Sequence, residues 1–159
     1  MRKPRPAKAP DIGEGKRGEE GYLGYLLRQA HGMHRLRMER ALAGLDTTPP
    51  QFLVMTMIAA YPGLSNADIA RLTLLTPQTV SVIVGNLKRA GAVTRTAHPI
   101  HGRIQELGLS PSGEALLARC RGQVRAIEEQ LVRGLSAADE QVVRRWLVAV
   151  AMEPAAGAG

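Results

Sequence analysis

Aromatic side chains are scarce in this chain: one Trp, one Phe and three Tyr make up 3% of its 159 residues. Any core must be built from Leu, Val, Ile, Ala and Met, which suits packed helices better than a sheet sandwich. Cysteine is nearly absent as well. With Cys120 alone, no disulfide can form within one chain, and its place on an apolar helical stripe reads as packing. No stretch approaches the roughly 20 consecutive apolar residues needed to span a bilayer. The charged start also lacks the apolar run of a signal peptide, so the chain is expected to be soluble, cytoplasmic and without a membrane partner. Gly-rich phosphate loops, paired-carboxylate sites and nucleophile elbows are all missing. No catalytic residue and no cofactor can be nominated, and the chain reads as a non-enzyme.

Acidic residues are outnumbered, 14 Asp and Glu against 21 Lys and Arg, giving a net charge of +7 and a pI near 10.3. Such a balance points to a polyanionic partner, most often nucleic acid. The excess is concentrated at the start, where Arg2, Lys3, Arg5, Lys8, Lys16 and Arg17 face only Asp11 and Glu14. Residues 1–18 have no apolar periodicity and are expected to be a disordered basic tail. Such a tail either keeps the protein in solution or adds salt-dependent phosphate contacts.

What the sequence does contain is organised around Ser65–Ala92. Ser65 with Asp68 has the form of a capping box, opening a short helix from Asn66 to about Leu72. Thr76-Pro77 supplies an N-cap hydroxyl and a proline at the first helical position, so a second helix starts at Pro77. Val80, Ile83, Val84 and Leu87 recur on one stripe of it, leaving Gln78, Thr79, Ser81, Val82, Lys88 and Arg89 off the stripe. Gly91 is placed to end that helix. Val93-Thr94-Arg95-Thr96 reads as a strand, His98–Arg103 as a turn and Ile104–Leu109 as a second strand. A helix-turn-helix followed by a hairpin with an arginine at its tip is a winged helix, whose second helix suits a DNA major groove. An ordinary amphipathic helical hairpin would show the same caps and stripes.

On either side lie longer helical patterns. Glu19–Leu45 carries Leu23, Leu26, Leu27, Met33 and Leu42 on a wide stripe, with Gly44 expected to stop it. Thr48-Pro49-Pro50 caps a helix apolar on most sides, which belongs in the middle of the protomer, and Leu64 is expected to pair briefly with the wing. Ser110-Pro111 opens a helix to about Leu135, and Ser136 with Asp139 caps a last one through Val150. The fold class is therefore mainly α: a winged helix-turn-helix region at 46–109, with dimerisation helices at 19–45 and 110–152. The terminal helices have apolar faces too broad for a small winged domain to cover, which a two-fold homodimer would bury.

YLGYLLRQAHGMHRLRMERALAGL, the segment from Thr48 to Arg95 and the wing running into LSPSGEALL together resemble the MarR family of bacterial transcription regulators. The resemblance covers roughly Tyr22 to Val150. It implies a dimer of winged helices that binds a palindromic operator in double-stranded DNA, as a repressor or an activator. Ser65, Thr76, Gln78, Thr79, Ser81, Val82, Lys88, Arg89, Arg95, His101 and Arg103 are the candidate DNA contacts. Two positions depart from the family pattern. The wing's usual Asp-x-Arg is His101-Gly102-Arg103, and the arginine usual after the serine matching Ser81 is Val82, which favours an apolar contact such as a thymine methyl.

The resemblance also implies a small aromatic or phenolic effector bound between the dimer helices and the winged domain. His31, His34, Arg35, Met38 and Met55 lie on the elements that would line such a crevice, where plain core packing is the competing role. His31 with His34, and His98 with His101, stand three apart, a spacing that can share a metal, but neither pair has an evident third ligand, so no metal is assigned. The alternatives are a redox or metal sensor on the same fold and a helical protein-interaction module whose basicity is incidental.

Overall fold

Hydroxyl caps set the boundaries of nearly every helix in the computed structural model, which describes residues 8–97 and 105–152. Helix α1 spans Leu23–Leu42, α2 Pro49–Ala60, α3 Asn66–Thr73 and α4 Pro77–Arg89. Strands β1 (Val93–Ala97) and β2 (Gln105–Leu109) follow, then α5 (Pro111–Leu131) and α6 (Ala137–Ala151). Thr48 with Gln51, Ser65 with Asp68 and Ser136 with Asp139 form reciprocal capping boxes. Thr76 and Ser110 each accept one N–H from the first turn of their helix, and proline fills the first position of α2, α4 and α5. Backbone donors that have no partner inside a helix are thereby satisfied at five helix starts.

The core is aliphatic and centred on α2. Val54 and Met55 are wholly buried there and Ile58 nearly so, packed among α1, α3, α4, α5 and β2. Met38 and Leu42 of α1, Ile69 of α3, Val80 and Leu87 of α4, and Leu117 and Cys120 of α5 complete the cluster. The two strands run antiparallel, from Val93 opposite Leu109 to Ala97 opposite Gln105. The expected turn His98–Arg103 lies outside the described residues.

Several local expectations are corrected. Helix α1 begins at Leu23 rather than Glu19, because Tyr22 offers no side-chain cap and the preceding residues make turns of their own. Residues 8–18, expected to be disordered, include a 3-10 turn at Gly15–Arg17, and the Arg17 guanidinium donates to the Pro10 carbonyl at 2.7 Å. Residues 1–7 of that tail lie outside the described part. Gly44 does not stop α1; a 3-10 turn over Ala43–Leu45 carries the chain on, and Asp46 takes the left-handed backbone instead, at φ 47°. Leu64 pairs with no strand among the described residues and packs half-buried against the core.

Helix α6 buries none of its residues in the protomer. Val142, Val143, Trp146, Leu147, Val148 and Val150 are all exposed, Trp146 to 40%, and Leu23, Met33 and Leu36 of α1 are uncovered as well. That much contiguous apolar surface marks a contact face. Among the described residues no helix is long and apolar enough to cross a membrane.

Candidate nucleic-acid interface

Short-range chemistry fixes both ends of α3 and the start of α4. The Ser65 hydroxyl donates to Asp68 Oδ2 at 2.6 Å, and Arg71 donates to the other carboxylate oxygen. These bonds hold the Asp68 carboxyl below its ordinary pKa, the Ser65 hydroxyl first and Arg71 second. At the far end of α3, Leu74 adopts the left-handed backbone, φ 54°. The Leu75 amide then reaches back to the Ala70 carbonyl at 3.2 Å, a Schellman-type closure usually built on glycine. Leu74 itself is 93% exposed, the one residue of this junction that composition alone would have put inside. Thr76 then caps α4, accepting from the Thr79 N–H at 3.1 Å, with the two hydroxyls 2.8 Å apart.

Val80, Ile83, Val84 and Leu87 all face inward from α4, as their spacing requires. Gln78, Thr79, Ser81, Val82, Lys88 and Arg89 are exposed on the other side. Not all of these are free to reach a partner. Asn66 of α3 donates to the Ser81 hydroxyl at 3.4 Å, and Arg89 donates to Asn86. Ser65 and Thr76 are also exposed, but each is engaged as a cap; Arg95 projects from β1 into solvent. His101 and Arg103 lie outside the described residues. The remaining nine nominated residues therefore fall on the caps of α3 and α4, on α4 itself and on β1, within Ser65–Arg95.

A lock between α4 and α5 was missing from the sequence reading. Gly91 ends α4 with φ 73°, and the Ala92 N–H closes onto the Leu87 carbonyl at 2.9 Å. Both Ser110 and Ser112 donate to the Gly91 carbonyl, at 2.5 and 2.9 Å, while Ser110 accepts from the Gly113 N–H. The start of α5 is so close to this corner that a Cβ on Gly113 would stand 1.9 Å from the Ala92 carbonyl oxygen. The signal for it was the pairing of Ser112 and Gly113 with a cap already complete in Ser110.

The five residues nominated for an effector crevice are not brought to one wall. Met38 and Met55 are core, His31 is exposed and Arg35 is exposed beside Glu39 at 3.5 Å. Only His34 borders an open hollow of about 690 Å³, shared with Leu26, Met33 and Leu36 of α1, Arg17 and Leu131. Its Nδ1 is buried without a hydrogen-bond partner among the described residues. No group of three or more His, Cys, Asp or Glu side chains among the described residues could hold a metal ion. Cys120 is wholly buried.

A capped α3, a tight turn, an α4 with one face buried and one presented, and a following two-stranded ribbon define a winged helix-turn-helix protein. A sequence model of the MarR family matches residues 45–104. The HTH-type transcriptional repressor Rv2887 of Mycobacterium tuberculosis is 34% identical over 129 residues, which are 81% of this chain and 93% of the relative. The chain belongs to the MarR family. The structure of Rv2887 in complex with p-aminosalicylic acid superposes with a TM-score of 0.66 at 32% identity, covering 82% of this chain and 99% of that one. The transcriptional repressor CouR bound to a 23-mer DNA duplex superposes at 0.72 with 26% identity, covering 82% and 93%.

Proposed function

We propose that this protein is a dimeric transcription repressor that binds a palindromic operator through α4 and its wing and is released by a small aromatic acid. The observation that carries the reading is the presented face of α4, polar and exposed over Gln78–Val82, on a fold that superposes with CouR bound to duplex DNA. The relative Rv2887 has also been captured with DNA and with salicylic acid, which supports a ligand of that class. Aromatic carboxylates suit the hollow beside His34, whose walls combine apolar Leu26, Met33 and Leu36 with Arg17. The uncovered faces of α1 and α6 support the dimer, since two copies would bury surface that one leaves in water. From sequence alone, the resemblance gives Arg103 the minor-groove contact and gives His101 the position of the family's usual aspartate.

Electrophoretic mobility with duplexes from the DNA flanking the gene tests this directly. Retention should weaken steeply as salt rises and should be reversed by salicylate at concentrations that leave the fold intact. A protein that retains no duplex at low salt is not a DNA-binding regulator.

A further inference from the structure

The hydrogen bonds around α4 separate the side chains that only look available from those that are. Thr79 shares its hydroxyl with Thr76, and the Ser81 hydroxyl accepts from Asn66 at 3.4 Å, so each has one hydrogen-bonding direction occupied within the protein. Between Pro77 and Leu87 the helix carries no lysine or arginine, the groups that grip guanine O6 and N7. Two exposed side chains with no such partner stand one helical turn apart. The Gln78 amide makes no hydrogen bond among the described residues, and Val82 is 62% exposed. Four residues advance about 6 Å along the helix, so the two side chains reach base pairs one or two steps apart. An amide is built to bond adenine through N6 and N7, and a branched aliphatic group has only the thymine C5-methyl to touch in the major groove.

Resting on the DNA-binding reading above, we infer that Val82 and Gln78 are the specificity-determining pair of α4. Val82 reads a thymine methyl and Gln78 a nearby adenine, so each half-site is A·T at both positions. Lysine and arginine, the usual bidentate partners of guanine O6 and N7, are missing from these turns, so the pair favours A·T over G·C. The Val82 contact has an unusual consequence: the group it senses can be deleted from DNA without disturbing any base pair, because deoxyuridine differs from thymidine only by that methyl.

The test starts from randomised duplexes enriched by repeated binding to the full chain. The enriched site is then remade with each thymine replaced in turn by deoxyuridine, and each adenine by 7-deazaadenine, which lacks N7. One thymine per half-site should stand out, its deoxyuridine form binding about threefold to fivefold more weakly, as expected for one lost methyl contact. Val82→Ala should bind the thymine duplex more weakly and lose its sensitivity to deoxyuridine at that position; Gln78→Ala should lose sensitivity to 7-deazaadenine only. Selection with Val82→Arg should bring guanine into the site. If deoxyuridine changes nothing, or weakens wild type and Val82→Ala alike, the inference is overturned while DNA binding stands. If no duplex is enriched at all, the DNA-binding reading itself fails and takes the inference with it. Alanine at 82 sits on an exposed helical face, so folding is unaffected and a circular dichroism spectrum confirms it.

Discussion

Asp68 illustrates how much a single side chain can do at the surface. Its carboxylate accepts from the Ser65 hydroxyl, the Ser65 N–H and Arg71, all of which favour the charged form and lower its pKa. A carboxyl with a depressed folded-state pKa stabilises the protein above its unfolded value of about 4 and loses that contribution as pH falls through the folded value. Wild type should therefore melt above Asp68→Asn near neutral pH, and the two melting curves should converge as pH drops below about 4. Parallel profiles would show that the carboxylate is a cap without charge preference. Gly113 makes the opposite demand, for absence of a side chain. With the Ala92 carbonyl 1.9 Å from where a Cβ would go, Gly113→Ala should cost about 2–3 kcal/mol in chemical denaturation. A loss under about 0.5 kcal/mol would mean the corner yields freely.

At the scale of elements, helix starts and stripes were legible because their causes are local. Ser65 and Asp68, or Thr76 and Pro77, lie within one turn of each other, and the periodicity of Val80, Ile83, Val84 and Leu87 needs only the helix itself. Bonds across long sequence separations were not legible. Asn66 to Ser81 spans 15 residues and Ser112 to Gly91 spans 21, and nothing in either residue type announces its partner. The same limit applies to Met38 and Met55: both lie on stripes that could line a crevice or a core, and only the assembled fold shows both buried in the core. Helix α6 is the element whose role depends most on a second copy. Trp146→Asp places a charge in the middle of its uncovered apolar face, and sedimentation should then report a monomer at micromolar concentrations. An unchanged dimer would move the interface elsewhere.

For the whole molecule, affinity and selectivity come from different parts. Gln78→Ala should cost about 1–3 kcal/mol on the specific site and little on random duplex. Removing residues 1–7, which hold Arg2, Lys3 and Arg5, should weaken both duplexes alike. It should also flatten the dependence of log affinity on log salt by about one unit for each side chain that touches phosphate. A salt slope that stays constant after truncation would assign the tail no share in binding.

The serine lock at Gly91 also has a kinematic meaning. Ser110 and Ser112 both hold the Gly91 carbonyl just past α4, and Gly113 leaves no slack there, so the C-terminal end of α4 and the start of α5 are tied at one corner. Helix α5 is a rod about 30 Å long. A few degrees of tilt of such a rod moves its Pro111 end by about 2 Å relative to Leu131, which borders the hollow beside His34. The corner therefore makes the setting of α4 answer to the setting of the first turn of α5.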